Sequence, residues 1–167
     1  MVNTSTCIAE EVYDEKTWIS LVPLVDLGVG ALAGYFAAPG IETIYPLLEK
    51  SSLTPPGYVF PIVWTVLYIL MGLGLADVVR RRGEGFETAV FLWCMQLVLN
   101  FSWSLLFFGF GAYSAALACL IVLWVFIFLM ILAFHPISRL PARMQIPYLL
   151  WVGFAGYLNW VICQLNP

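Results

Sequence analysis

Five long apolar stretches dominate the chain, at residues 19–39, 57–79, 88–110, 111–134 and 144–165. Each approaches the ~20 residues an α-helix needs to cross the hydrocarbon core of a bilayer. The breaks between them carry helix-stopping or charged residues. Pro39-Gly40 closes the first stretch and Pro55-Pro56 precedes the second. Asp77 and the run Arg80-Arg81-Arg82-Gly83 close the second. Gly109 and Gly111 leave almost no loop between the third and fourth, which makes those two antiparallel neighbours. His135-Pro136 ends the fourth, and Pro141 sits in the turn before the fifth. Pro61 and Pro147 fall in first helical turns, where a missing N–H costs little. The pattern predicts an all-α fold: an integral membrane bundle of five transmembrane helices over residues 19–167. The preceding residues 1–18 hold Glu10, Glu11, Asp14 and Glu15 against Lys16 alone. They lack the positive start of a secretory signal and are expected to form a disordered acidic tail.

Composition agrees with the pattern. Hydrophobic residues make up 62% of the chain and charged residues 10%, with mean hydropathy +0.93. Soluble domains carry about 25% charge. A net charge of −3 and a pI near 4.9 exclude nucleic acid as a partner, which would call for a basic face. The membrane is either a bacterial one or an organelle outer membrane. With five spans, the N-terminus shares a side with Lys16, Arg80, Arg81, Arg82, Arg139 and Arg143, and Lys50 is alone opposite. In a bacterial inner membrane that bias places the N-terminus in the cytoplasm.

Candidate chemistry is sparse. No nucleophile motif, phosphate loop or paired mid-membrane carboxylates occur. Cys7, Cys94, Cys119 and Cys163 form no CxxC pair and read as small packing residues. His135 has no second histidine to share a metal with, so no metal is expected. Aromatic density stands out instead, with seven Trp, eight Tyr and twelve Phe. Trp18, Trp93, Trp124 and Trp160 read as an interfacial belt. Trp64, Trp103 and Trp151 lie too deep for that. On the third stretch Gln96, Asn100, Trp103 and Phe107 share one helical face. Trp64, Tyr68 and Met71 form a similar stripe on the second, and Trp151, Ala155 and Asn159 on the fifth. Amides are costly against lipid, so these faces point into the bundle, as interhelical glue or as the wall of a ligand pocket. Spacing alone leaves both open. Asp26 is the one carboxylate well inside a span, a functional candidate by its place, although with no basic partner in any span the expectation is that a hydroxyl or nearby water satisfies it. Gly30 and Gly34 make a GxxxG step suited to close packing or a dimer seam. Residues 40–56 form a comparatively long loop, placed either to cover a site or as an inert linker.

Several local strings then combine. They are Leu48-Glu49-Lys50 with Thr54-Pro55-Pro56, and Val59-Phe60-Pro61 with Val63-Trp64, Leu67-Tyr68 and Met71-Gly72. Further along come Gln96-Leu97, Leu99-Asn100, Trp103 and Phe107-Phe108-Gly109. The last are Pro147-Tyr148-Leu149, Trp151, Phe154-Ala155 and Leu158-Asn159. In order and spacing the chain resembles the translocator protein family, also called tryptophan-rich sensory proteins or the peripheral benzodiazepine receptor. The resemblance spans about residues 20–165. It implies a five-helix homodimer in membrane lipid, with a pocket closed by the loop after the first helix. It implies porphyrins (protoporphyrin IX or haem), sterols and benzodiazepine- or isoquinoline-type drugs as ligands, with no required cofactor. Carried over, the pocket comprises Tyr45, Trp64, Tyr68, Asn100, Trp103, Phe107, Trp151 and Ala155, and Gln96 joins them through its shared face. Departures lie in the loop, where Ser51 follows Lys50, Leu53 precedes Thr54-Pro55-Pro56, and Ile44 precedes Tyr45. No Lys or Arg follows Tyr157, so the C-terminal sterol motif of animal members is absent.

Three functions follow as expectations. The first is a porphyrin-binding receptor or transporter with a stress-sensing or tetrapyrrole-regulating role, the ligand's carboxylates reaching Lys50 or water. The second is an enzyme that degrades porphyrin with light and oxygen through Trp64 and Trp151. The third is a structural membrane protein whose aromatic faces meet a partner.

Overall fold

The computed structural model describes the backbone from Thr4 to Asn166 and the side chains from Leu21 to Asn166. Helix α1 runs Thr4–Thr43, α2 Val59–Arg81, α3 Phe86–Ser104, α4 Tyr113–Ile137, α5 Arg139–Met144 and α6 Ile146–Leu165. A π-helical segment, Leu105–Gly109, extends α3. The short α5 and α6 together make the fifth span, so five segments are long and apolar enough to cross a membrane. This is the expected all-α bundle, an integral multi-pass membrane protein.

Helix α1 departs from expectation at both ends. Its backbone is helical from Thr4, where a disordered tail up to residue 18 is expected. No proline or glycine precedes Pro23, and Glu and Lys are good helix formers. Residues 1–3 and the side chain of Trp18 lie outside the described set. At the other end α1 passes Pro39 and Gly40 before stopping at Thr43. Proline removes its own N–H donor and crowds the carbonyl one turn back, yet the helix carries on, and the turn beyond it is braced by Thr43 Oγ1 donating to the Pro39 carbonyl at 2.7 Å. The loop is therefore 44–58, opening with a 3-10 turn at Tyr45–Leu47.

Packing follows small residues. Helix α1 lies along α2, α3 along α4, and α4 along α6. A Cβ on Gly72 would stand 2.4 Å from Pro23 Cα, so α1 and α2 touch backbone to backbone there. A Cβ on Gly30 would sit 2.4 Å from the Tyr68 ring, whereas Gly34 and Gly28 face open space. Gly30 is thus a seat for α2 within the chain, and Gly34 is not part of that contact. Met71, Val78, Leu123, Ile127, Met130, Phe134 and Tyr148 fill the centre. Leu32, Phe36, Leu73, Val98, Ile121, Leu132 and Leu150 point outward, the apolar exterior that lipid solvates.

Two single-residue expectations are corrected. Trp93 is 8% exposed and belongs to the core, not to the interfacial belt; only Trp124 and Trp160 of the described belt candidates face out. Asp26 is wholly buried beside Gly72, and neither carboxylate oxygen accepts a hydrogen bond among the described residues. Among the described residues neither a hydroxyl nor exposure to water satisfies it.

Candidate functional site: an aromatic cavity under the first loop

Helices α2 and α6 are not among the closely packed pairs. They meet through rings, and between them lies a small cavity of about 30 Å³. Phe60 and Trp64 line it from α2, Trp103, Phe107 and Phe108 from α3 and its π segment, and Tyr45 from the loop. Helix α6 contributes Trp151, Ala155, Leu158, Asn159 and Ile162. The rings fall into two groups, one running from Trp64 through Trp103 to Phe107 and the other pairing Phe60 with Trp151. Trp64 lies 5.9 Å from Trp103 at 31°, Trp103 lies 5.9 Å from Phe107, and Phe60 meets Trp151 edge-on at 5.9 Å. Offset and edge contacts of this kind add about 0.5–1.5 kcal/mol per pair beyond area burial.

Six of the sequence-derived candidates therefore surround one cavity: Tyr45, Trp64, Trp103, Phe107, Trp151 and Ala155. The other three do not line it. Tyr68, Asn100 and Gln96 form a buried hydrogen-bonded layer beneath it, together with Tyr148. Tyr68 OH donates to Asn100 Oδ1 at 2.8 Å, Asn100 Nδ2 donates to Tyr148 OH at 2.9 Å, and Tyr148 OH donates to Gln96 Oε1 at 2.8 Å. One connected network ties α2, α3 and α6. The faces that spacing left open between two roles carry interhelical hydrogen bonds at one depth and line the cavity at another. Trp64 bridges them, since its ring packs on Tyr68 and Tyr148 as well as on Trp103.

Asn159 ties the cavity wall to the start of α4 by a separate set of bonds. Its Oδ1 accepts from Trp103 Nε1 at 3.3 Å, while its Nδ2 donates to the Tyr113 carbonyl at 2.9 Å. Spacing carried a signal for several wall residues not selected from it. Phe60 stands one turn before Trp64, and Leu158 and Ile162 continue the face of Trp151 and Ala155. Phe108 had no such signal. It reaches the cavity because the π segment widens the turn, with Phe110 N–H bonded to the Leu105 carbonyl five residues back at 2.9 Å. That segment also packs against α1, and a Cβ on Gly40 would lie 1.9 Å from the Phe108 carbonyl oxygen.

The loop roof is fixed by Lys50. Its Nζ donates to the carbonyls of Tyr45 and Leu48, each at 2.8 Å, and sits 4.9 Å over the Tyr45 ring. The ammonium that the sequence offered to ligand carboxylates is thus engaged in shaping the loop. Burial pushes the Tyr45 phenol above its usual range, which keeps it neutral. Trp151 Nε1 is buried and has no hydrogen-bond partner among the described residues, which leaves a donor at the edge of the cavity.

The comparisons with known proteins agree with this architecture. The TspO/MBR family model matches residues 20–165. Tryptophan-rich protein TspO of Chlorobaculum tepidum is 42% identical over 143 residues, covering 84% of this chain and 90% of that protein. A tryptophan-rich sensory protein of Cereibacter sphaeroides is 34% identical over 86% of this chain and 88% of its own length. The translocator protein of Sus scrofa is 34% identical over 73% of this chain and 74% of its own. With a family match from the middle of the first helix to the end of the last, and relatives matched over most of their length, the chain belongs to the TspO/MBR family.

Proposed function

We propose that the chain is a membrane receptor for flat, largely apolar ligands, tetrapyrroles such as protoporphyrin IX foremost, held between α2 and α6. The observation that carries this reading is the ring-walled cavity, in which Trp64, Trp103 and Trp151 converge with Tyr45 above and Ala155 opposite. Rings at these angles present π faces that a planar macrocycle can replace one by one. The free Trp151 N–H and the amide of Asn159 supply polar contacts for its edge. A charged ligand group stays near the loop and water, because charge in the bilayer core is too costly. The cavity of about 30 Å³ is far below the roughly 300–1,000 Å³ of a ligand pocket, so binding requires rings and loop to move apart. A sensing or transport role follows from that coupling between occupancy and loop position.

The test is tryptophan emission during titration with protoporphyrin IX. Wild-type protein is expected to show saturable quenching in the micromolar range. Trp64→Phe and Trp151→Phe should each reduce its amplitude, with affinity falling about tenfold or less, or ~1.4 kcal/mol. A wild-type protein that shows no quenching would sink the reading and return the aromatic faces to packing. Because Trp64 and Trp151 flank the same cavity, a second reading is porphyrin breakdown under light and oxygen. It overtakes the first if illumination consumes the bound porphyrin and either substitution stops this without abolishing binding.

A further inference from the structure

The roof of the cavity is held from an unexpected place, the last described residue. Asn166 follows the final turn of α6, and its side-chain amide pairs with both backbone groups of Glu49 in the loop. Glu49 N–H donates to Asn166 Oδ1 at 3.0 Å, and Asn166 Nδ2 donates to the Glu49 carbonyl at 3.0 Å. This is the two-bond pairing of a strand with its neighbour, made by one side chain. The amide is aimed beforehand, because Nδ2 also donates to the Ile162 carbonyl at 3.0 Å, and Ile162 lines the cavity. A looser contact, Ser51 Oγ to Tyr157 OH at 3.5 Å, lies on the same seam. Within the loop, Lys50 ties the carbonyls of Tyr45 and Leu48 together, so Tyr45 and Glu49 move as one piece. Release of Glu49 from Asn166 would leave that piece held over the cavity mouth chiefly by the Tyr45 ring on Phe107 and Phe108.

We propose that Asn166 is a positioning residue of the pocket, latching the loop over the cavity and setting how fast a ligand passes beneath it. This rests on the receptor reading for its ligand, although the latch itself is a property of the protein alone. The cavity is too small to accept a macrocycle with the loop seated. Ligand passage therefore competes with the two Glu49 bonds. Exposed-edge hydrogen bonds contribute modestly, so losing two of them shifts the open fraction about tenfold.

Two measurements on the full-length protein in lipid nanodiscs test it. The first is amide hydrogen exchange in the loop, without ligand. Asn166→Ala should speed exchange at Glu49 about tenfold. Asn166→Asp keeps an acceptor for the Glu49 N–H but turns a carboxylate oxygen onto the Glu49 and Ile162 carbonyls, so it should open the loop at least as much as Asn166→Ala. The second is the association rate of protoporphyrin IX by stopped-flow quenching, expected to rise with the exchange rate while the thermal midpoint stays within a few degrees. Unchanged Glu49 exchange in Asn166→Ala overturns the latch. Faster exchange with an unchanged association rate overturns its control of ligand passage. Absence of quenching in wild type would count against the ligand reading only, and the exchange result would still decide the latch.

Discussion

At the scale of single residues, Ala155 and Tyr148 lie seven positions apart on α6 and divide the work of its inner face. Ala155 is 6% exposed and borders the cavity, where its methyl leaves room between Trp64 and Trp151. Tyr148 is fully buried and holds Asn100 and Gln96 through one hydroxyl. Ala155→Phe should fill the gap and cost protoporphyrin at least tenfold in affinity, with a smaller effect on thermal unfolding. Tyr148→Phe should do the reverse. It leaves Gln96 Oε1 and Asn100 Nδ2 without partners in the core, a loss of about 1–3 kcal/mol, with binding changed little. Denaturation in detergent alongside a quenching titration separates the two. If both variants lost stability and affinity in step, wall and network would be one unit. The distinction was invisible in the sequence. Spacing put Gln96, Asn100, Trp103 and Phe107 on one stripe but gave no depth along it. The partner that settles depth, the Tyr148 hydroxyl, comes from a helix 48 residues beyond Asn100.

At the scale of elements, the helices were legible because lipid imposes their length, while their ends were not, because local bonding overrides punctuation. Pro39-Gly40 reads as a stop, yet Gly40 is needed for a different reason: the Phe108 carbonyl occupies the place of its Cβ. The π turn at Leu105–Gly109 has no period of its own in the sequence, and Phe108 enters the wall only through it. The α1–α2 seam gives a sharp test of which glycines pack. Inside a helix, Gly→Ala ordinarily stabilises by roughly 0.5–1 kcal/mol. At Gly72 the new methyl would meet Pro23 Cα at 2.4 Å, a backbone atom that cannot rotate away. Gly72→Ala should therefore destabilise by about 1–3 kcal/mol, the usual cost of overpacking. At Gly34 nothing lies within 4 Å, so Gly34→Ala should be neutral or stabilising in the monomer. Thermal unfolding of the two variants in the same detergent checks both signs. A stable Gly72→Ala protein would mean that α1 does not rest on α2 as described. If Gly34→Ala instead dissociated a dimer, that glycine would belong to an interface between copies.

At the scale of the whole molecule, five spans and a lopsided charge make one claim together. Helix α2 ends in Arg80 and Arg81, followed by Arg82 in a left-handed conformation at φ 41°. Asp77 pairs with both Arg80 and Arg81 at the close of that helix. Helix α5 carries Arg139 and Arg143 and packs on α2, so these five cations gather at one end of the bundle. The opposite end has Lys50, whose charge is already turned onto loop carbonyls. Moving an arginine into the bilayer centre costs about 2.5–3.5 kcal/mol on insertion scales, so the end that carries five of them is expected to stay on the side of synthesis. The even turns, α2–α3 and α4–α5, must then share a side, with the 44–58 loop and the end of α6 across the membrane from them. The loop's bonds to Asn166 require the same arrangement, since Glu49 and Asn166 can meet only on one side. Single cysteines at Glu84 and Gln164, both exposed, test it in a background lacking the native cysteines. An impermeant maleimide added to sealed vesicles should label one and spare the other, and reversing vesicle orientation should exchange them. Labelling of both from the same side would require an even number of crossings between them. It would break the bundle and the seating of the loop on α6, because three spans separate Glu84 from Gln164 in this fold.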